Sequence, residues 1–294
     1  MPFEPERLIA HRFPTVRQSY DRRDTILYAL GIGLGHDPLD AHDLNYLLDT
    51  HDRVLPAFAV TLASPGMWIR DPAFGVDFAK LVHSAQAVSF DRPLPANGTV
   101  TSTPRIASIH DRGEGRGALV VLERDVTDAD SGKCYAHIEQ TLLLRSDGGF
   151  GGQAPPTPPA QLIPDRVPDL ATQQPISHRA ALIYRLSGDW NPLHADPAAA
   201  RAAGFDRPIL HGLASFGWAA YALERVSGRK LASIGCRFSG TVFPGDTFSL
   251  SAWLQDDSTL FSASTALRPA LDRGVATFLP CHKKRDNSCA TKMS

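Results

Sequence analysis

One segment, residues 212–226, restricts the possible folds more than any other part of the chain. It reads Gly-Leu-Ala-Ser-Phe-Gly-Trp-Ala-Ala-Tyr-Ala-Leu-Glu-Arg-Val, and between Leu213 and Leu223 only Ser215 and the Tyr221 hydroxyl are polar. A helix that is apolar on nearly every face is buried on nearly every face, and charged residues end this one before it could span a membrane. The pattern therefore predicts a helix enclosed by a β-sheet, with free backbone N–H groups at its N-terminus.

A short polar segment precedes this helix. Residues 184–196 read Tyr-Arg-Leu-Ser-Gly-Asp-Trp-Asn-Pro-Leu-His-Ala-Asp and place Asp189, Asn191 and His194 within six positions. A carboxylate and an imidazole this close can act as a paired acid and base, and Pro192 restricts the backbone between them. We predict a tight loop with Asp189 and His194 as the pair, in which Asn191 orients a water molecule or the acidic partner.

The same residues also fit a simpler interpretation. Asp and Asn side chains often bond to nearby backbone N–H groups in turns, and Asp196-Pro197 is typical of a helix N-cap followed by proline. Taken alone, the loop supports both interpretations equally. The apolar helix favours the acid–base site, because the N–H of Gly212 at its start can stabilise an oxyanion. His211 is predicted to be structural rather than catalytic.

The loop and the segment after it resemble the motif of a known family. Y-x-L-S-G-D-x-N-P-L-H at residues 184–194, followed by R-P-I-L-H-G-L at 207–213, is similar to the hydratase 2 motif of the MaoC-like, (R)-specific 2-enoyl-CoA hydratases. The likeness covers roughly residues 15–278 and includes the segments 24–33, 81–86, 148–153 and 237–247. It implies an α+β double hot-dog of the two-domain type, in which each half is a curled antiparallel sheet around a long central helix.

This resemblance also implies a reaction, the reversible hydration of trans-2-enoyl-CoA to (3R)-hydroxyacyl-CoA. Asp189 and His194 would share the acid–base work on medium or long acyl chains, with no metal ion or other cofactor, and the sequence does not decide which of the two activates water. The alternatives are a dehydratase of another thioester of CoA or acyl-carrier protein, a hot-dog thioesterase, and a non-catalytic acyl-CoA-binding module. Thioesterases of this fold usually place an acid on the central helix, where this chain has Ser215, Phe216 and Gly217.

Substrate contacts follow from the same resemblance. His83 and Ser84 occupy the place of the family's His-Gly, and Ser84 and Ala85 replace its glycine and the acid after it. Arg112 stands where lysine is usual and keeps a positive charge for the CoA phosphates, although an exposed turn residue is the simpler interpretation. Phe238 is either a ligand contact or ordinary core. The substrate-binding set that we predict is His83, Ser84, Arg112, Trp190, Pro192, Leu193 and Phe238.

Length and composition fit two domains with a sizeable core, since the 294 residues are 43% hydrophobic and 21% charged. We expect a degenerate hot-dog at 1–146 that accommodates the acyl chain, a Gly/Pro-rich linker at 147–168, a catalytic hot-dog at 169–280 and a disordered tail at 281–294. Alternation and turn residues predict strands. These strands are 85–92, 99–110, 118–127, 134–145, a further one around 176, 234–238, 247–256, 260–267 and 273–279.

Charge and cysteine usage exclude several classes of protein. A formal net charge of −1 argues against a nucleic-acid or membrane-surface partner. The four cysteines have no metal spacing and are expected to be reduced thiols. The chain has no apolar signal core, and its last residues are not the peroxisomal Ser-Lys-Leu. We expect a cytoplasmic enzyme of bacterial type whose partner is an acyl-CoA substrate, with monomer and homodimer both open.

Overall fold

The computed structural model describes residues 3–156 and 163–280. Their strands form one antiparallel sheet of eleven members. The strands are β1 (Val16–Tyr20), β2 (Leu81–Phe90), β3 (Gly98–Ser102), β4 (Arg105–Asp111), β5 (Ala118–Asp128), β6 (Cys134–Leu144), β7 (Leu170–Pro175), β8 (Leu231–Phe238), β9 (Thr247–Leu254), β10 (Thr259–Thr265) and β11 (Pro269–Phe278). The helices are α1 (Pro5–Ile9), α2 (Arg22–Ile32), α3 (Ala41–Leu47), α4 (Ala180–Tyr184), α5 (Pro197–Ala202) and α6 (Gly212–Ser227).

Two half-sheets make up this sheet. The first has the order β1-β3-β5-β6-β2, with β4 beside β5, and the second has the order β8-β11-β10-β9-β7. They join through the antiparallel pair β2–β8, where Ala85 lies opposite Arg237 and Ser89 lies opposite Ser233. The α+β double hot-dog is therefore confirmed, and its two halves share a continuous sheet and a common hydrophobic core.

The helix α6 is the centre of the C-terminal half, as the apolar segment predicts. Eleven consecutive residues from Ala214 to Glu224 are buried. The helix packs against β7, β8 and β9 and also contacts the 3-10 helix Pro56–Thr61 of the first half. Gly217 permits close packing, because a Cβ atom there would collide with the Tyr28 hydroxyl. The chain leaves the helix at Gly228, whose left-handed φ of 65° favours glycine.

In the N-terminal half, α2 is the longest of the helices that the structure describes, at 11 residues. A capping box between Asp21 and Asp24 starts it, and Gly33 ends it in the left-handed conformation. This helix packs against α4, α3 and α6 rather than along its own half-sheet. The 3-10 helix Pro56–Thr61 instead covers β2 and β6. Among the described residues, the expected long central helix is thus present only in the C-terminal half.

One strand prediction is wrong. Residues 99–110 form two strands, β3 and β4, and the chain breaks between them at Thr103-Pro104. Proline has no N–H to give to a ladder and disfavours a continuous central strand. The second strand then pairs with β5 through a register shift between Ile106 and Ser108. Pattern reading missed this break because both segments are rich in Thr, Val and Ile.

The linker has no helix or strand at residues 147–156 and 163–169. Its first part is nevertheless held in place, since the N–H groups of Gly149 and Gly151 donate to the carboxylate of Asp111 at 2.7 Å. The domain boundaries stay predictions. Residues 157–162 and the tail at 281–294 lie outside the part of the chain that the structure describes.

In the described ranges, no helix is both long enough and apolar enough to cross a membrane. Cys134, half-buried, and Cys236, buried, are free thiols, whereas Cys281 and Cys289 lie outside the described residues.

Candidate active site

The predicted loop follows α4 and is built by turn chemistry. Gly188 reverses the chain with a φ of 110°, and the backbone N–H of Asn191 then donates to Asp189 Oδ1 at 3.1 Å. Asn191 Oδ1 accepts from the N–H of Leu193 at 3.1 Å and starts a 3-10 turn that carries His194. The turn interpretation is thus correct for the backbone, and the same turn holds the Asp189 carboxylate in place.

The imidazole of His194 is buried, with 8% of its residue surface exposed. Its Nδ1 lies 3.0 Å from the carbonyl oxygen of Ile209. Because a carbonyl only accepts, Nδ1 carries the hydrogen and Nε2 carries a free lone pair. Burial lowers the pKa of His194, and the negative charge of Asp189 partly opposes this effect. The ring is therefore a neutral base beside a carboxylate.

A second histidine, His211, lies against the first. The two rings stack with centroids 3.7 Å apart and planes at 26°, and His211 is only 1% exposed. Its Nε2–H donates to the backbone carbonyl of Asp189 at 3.3 Å. Burial, and then the adjacent His194, lower the pKa of His211 to about 2, so the ring is neutral. Sequence reasoning identified the residue but not this contact, for which the only local signal is its place directly before Gly212.

The donor atoms of Asp189, His194 and His211 lie within 4.8 Å of one another, which raises the question of a metal ion. A metal lies close to the plane of each imidazole that binds it. Two rings stacked face to face do not share such a point at bonding distance, so this arrangement fits acid–base chemistry better than coordination. The absence of a metal requirement stays a prediction.

Another group with metal-binding atoms, Asp91, Cys134 and His137, lies on the surface of the first half-sheet. Both ring nitrogens of His137 are already engaged, Nδ1 with Asp125 at 2.7 Å and Nε2 with Asp91 at 3.2 Å. Both carboxylates are exposed, and we assign no function to this group.

Three further predicted residues meet at the seam between the half-sheets. A Cβ atom on Gly212 would lie 3.2 Å from the ring of Phe238, and that ring contacts His83 edge to face at 4.8 Å. His83 Nε2–H donates to the carbonyl of Ala85 at 3.0 Å, and burial lowers the pKa of His83 to about 4. Among the described residues, the N–H of Gly212 has no hydrogen-bond acceptor. It therefore offers a free donor at the positive end of α6.

The remaining predicted contacts are more peripheral. Trp190 is 55% exposed next to the catalytic loop, and the Arg185 guanidinium lies 4.6 Å from the centroid of its ring. Pro192 is exposed and Leu193 is half-buried. Ser84 lies at the irregularity where β2 shifts register against β6. The contacts of these four side chains do not define a role for any of them.

Arg112 is not brought to the catalytic pair. It lies in the turn after β4, where its Nη1 donates to the carbonyl of Arg116 at 3.0 Å. This turn is separated from the start of β2 by three strand spacings, through β5 and β6. Measured along the sheet, that is about 14 Å.

A double hot-dog with a half-buried Asp and a buried His beside the start of its central helix defines an enzyme of the hydratase and dehydratase type. Residues 159–268 match the MaoC like domain, and residues 18–146 match the MFE-2 hydratase 2 N-terminal domain. The chain therefore belongs to the MaoC-like hydratase family, and it is a hydro-lyase.

Individual relatives agree with this assignment over nearly their whole lengths. The chain is 40% identical to the 3-hydroxyacyl-thioester dehydratase Y of Mycobacterium tuberculosis, over 86% of this chain and 88% of the relative. It is 34% identical to the enoyl-CoA hydratase ChsH3 of the same organism, over 94% and 96%. The solved MaoC-like dehydratase of Phytophthora capsici superposes with a TM-score of 0.79 at 30% identity, over 93% and 98%.

Proposed function

We propose that the protein hydrates trans-2-enoyl-CoA to (3R)-3-hydroxyacyl-CoA and catalyses the reverse dehydration. The observation that carries the proposal is the pair of half-buried Asp189 and buried His194, which lies beside the free N–H of Gly212. The names of the relatives, an enoyl-CoA hydratase and a 3-hydroxyacyl-thioester dehydratase, describe the two directions of this reaction.

The first step is the activation of water. The lone pair on His194 Nε2 accepts a proton while the water oxygen bonds to C3 of the enoyl group. The Asp189 carboxylate holds the second hydrogen of the water and stabilises the imidazolium that forms. Electrons from the C2=C3 bond move onto the thioester oxygen, which becomes an enolate. The N–H of Gly212 donates to this oxygen, a contribution worth roughly 3 kcal/mol in comparable sites.

The second step returns the proton. The imidazolium of His194 donates from Nε2 to C2, and the thioester carbonyl re-forms. One water has then been added, and both catalytic side chains have regained their starting protonation states. Because Asp189 and His194 come from one short loop, both act on one face of the double bond. Water and proton therefore add syn.

The substrate passes the seam between the two half-sheets. Phe238 and His83 pack against each other beside Gly212 and form the apolar wall next to the thioester. Trp190 and Leu193 continue this wall around the loop. Arg112, about 14 Å from β2 along the sheet, binds the CoA phosphates at the far end of the extended cofactor arm.

The acyl chain extends over residues 1–146. In this half the cover on β2 and β6 is the 3-10 helix Pro56–Thr61, a segment of six residues. Such a short, irregular segment can shift at lower cost than a helix packed along the whole sheet. The proposal therefore includes a preference for medium or long enoyl chains.

The test is a panel of trans-2-enoyl-CoAs of rising length, with loss of the enoyl absorbance as the readout. Products from a reaction in deuterated water are then resolved on a chiral column, and free thiol is titrated in parallel. We expect a (3R) product with syn addition and no released thiol. A (3S) product or anti addition would contradict the shared face, and released thiol would show a thioesterase instead.

A further inference from the structure

We propose that His211 is a positioning residue for the hydration reaction, one that holds the His194 ring and the Asp189 backbone in a single fixed relation. The kinetic part of this inference rests on the proposed function. The structural part concerns the catalytic loop itself. His211 lies directly before Gly212, so the same residue also ties the loop to the start of α6.

The first contact acts on the His194 ring. That ring can turn about its side-chain bonds, and the hydrogen bond from Nδ1–H to Ile209 fixes its plane from the edge. The His211 ring covers one face at a centroid distance of 3.7 Å. Together, the edge contact and the face contact determine the plane of His194 and the direction of the lone pair on Nε2.

The second contact acts on Asp189. Its backbone carbonyl accepts from His211 Nε2–H at 3.3 Å. The His211 ring is held in place, because it is 1% exposed and also contacts the Tyr184 ring, with centroids 4.9 Å apart. Tyr184 is itself 1% exposed and precedes the loop. The loop is therefore anchored through one buried ring at both catalytic residues.

The neutral state of His211 is part of this role. Two imidazoles stacked at 3.7 Å cannot both be positively charged without strong repulsion. The proposed reaction requires His194 to become an imidazolium transiently. Within the described residues, Nδ1 of His211 is buried without a hydrogen-bond partner. With Nε2–H bound to a carbonyl and no partner at Nδ1, the buried His211 ring stays neutral while His194 cycles.

Two substitutions separate the contacts. His211→Gln keeps an N–H for the Asp189 carbonyl but removes the stacked ring, whereas His211→Phe keeps a ring and removes the donor. We expect kcat to fall about 100-fold in His211→Gln and about 10-fold in His211→Phe, because displacements below 1 Å reduce rates on this scale. KM should stay within about threefold, since neither contact involves the substrate.

The tautomer of His194 distinguishes a positioning role from a merely structural one, because a general loss of stability would not change it. In protein carrying ¹⁵N-labelled histidine, with the His194 signals assigned from His194→Gln, we expect the Nδ1–H tautomer alone in the native chain. His211→Phe should keep it, and His211→Gln should show both tautomers. Tyr221→Phe is the matched control, because it removes a buried hydroxyl bound to Asp43 about 14 Å further along α6. It should lower stability and leave kcat and the tautomer unchanged.

The inference is overturned if folded His211→Gln keeps the single tautomer and a kcat within twofold of the native value. It is also overturned if kcat and KM change together in both variants, because substrate binding would then be the affected step. If the native enzyme hydrates no enoyl-CoA, the proposed function fails, and the tautomer comparison alone then supports or overturns the role of His211.

Discussion

The two half-sheets curl in the same way but are covered differently. In the C-terminal half, a 16-residue helix, α6, fills the curl and presents its N-terminus to the seam beside the Asp189–His194 loop. In the N-terminal half, a six-residue 3-10 helix lies over β2 and β6, and no second Asp-x-Asn-Pro-x-His loop exists in the sequence. The Asp/His loop and a long buried helix thus occur together in the C-terminal half, and we expect the proposed acid–base chemistry to depend on both.

The halves are nevertheless one folded unit. From the first half, Asp43 is buried and accepts from the Tyr221 hydroxyl, and Arg225 donates to Asp43 at 3.0 Å and to Asp40 at 2.5 Å. These bonds join α3 to the last turns of α6. A buried carboxylate needs such partners, so the N-terminal half supports the helix that carries the proposed oxyanion site. Loss of function from changes in the first half can therefore be indirect.

The largest expected effect concerns the loop that only the C-terminal half has. Asp189→Asn and His194→Gln should each fold and bind substrate but lose turnover by roughly 100-fold or more, because proton transfer loses its base or its stabilising charge. Steady-state hydration kinetics and a thermal melt measure both properties.

Matched controls are Asp206→Asn and His178→Gln, which change the same residue types at exposed positions. Both should keep native turnover. Near-native turnover in Asp189→Asn or His194→Gln would mean that this loop does not make the C-terminal half the catalytic one.

The next effect concerns the start of α6. Gly212→Val should lower kcat about 10- to 100-fold, because its Cβ would lie 3.2 Å from the Phe238 ring and the branched side chain would displace the N–H from the thioester oxygen. Gly217→Ala on the same helix is the control. It should lower the melting temperature through its collision with Tyr28 and leave turnover per folded enzyme unchanged. Equal activity losses in both variants would indicate a general disturbance of α6.

The third effect concerns the short 3-10 helix that covers the sheet of the N-terminal half. If residues 1–146 hold the acyl chain, kcat/KM should rise with chain length, by up to about fourfold for each buried methylene group. Hydration of four- to twelve-carbon enoyl-CoAs measures this, with inhibition by free CoA as the chain-independent reference. A preference for the four-carbon substrate would mean that the first half does not accommodate the chain.

Sequence reasoning was most successful where local chemistry determines the structure. The apolar run gives α6, and the Gly188 and Pro192 positions give the loop, because both follow from backbone preferences of single residues. Most of the strands also follow from alternation and turn residues, although β1 (Val16–Tyr20) was not predicted. The double hot-dog and the family came from motif resemblance, which the matches over both halves confirm.

What the sequence did not reveal depends on contacts between distant segments. Residue types alone do not show that His211 stacks on His194, since the neighbouring Tyr184 and the carbonyl of Ile209 determine that geometry. The placement of α2 against α4 likewise requires the folded chain, as does the use of a 3-10 segment in place of a long helix. The break at Pro104 was readable in principle but was hidden by β-branched residues on both sides.

The smallest effect compares the two halves in their response to pH. In the C-terminal half, the pKa of His211 falls to about 2 through burial, against about 6.5 in an unfolded chain. As the pH falls, the unfolded state therefore binds a proton on this histidine before the folded state does. The contribution of His211 to stability is present above pH 6.5 and is lost as the pH falls below it. In the N-terminal half, the hydrogen bond to Asp125, and then the nearby acidic charges, raise the pKa of His137. Its contribution has the opposite sign, since it is present below pH 6.5 and is lost as the pH rises through the folded pKa.

Urea unfolding between pH 5 and pH 8 can measure this difference. The native protein should lose stability toward pH 5, because burial lowers the pKa of His83 and of His194 as well as that of His211, and these three outnumber His137. His211→Phe should flatten that decline, since one fewer proton is taken up on unfolding. His137→Asn should steepen it slightly, because the stabilising protonation at low pH is removed, and the exposure of His137 keeps the change small. If His137→Asn instead destabilised the protein more at pH 8 than at pH 6, the opposite signs that we assign to the two halves would be wrong.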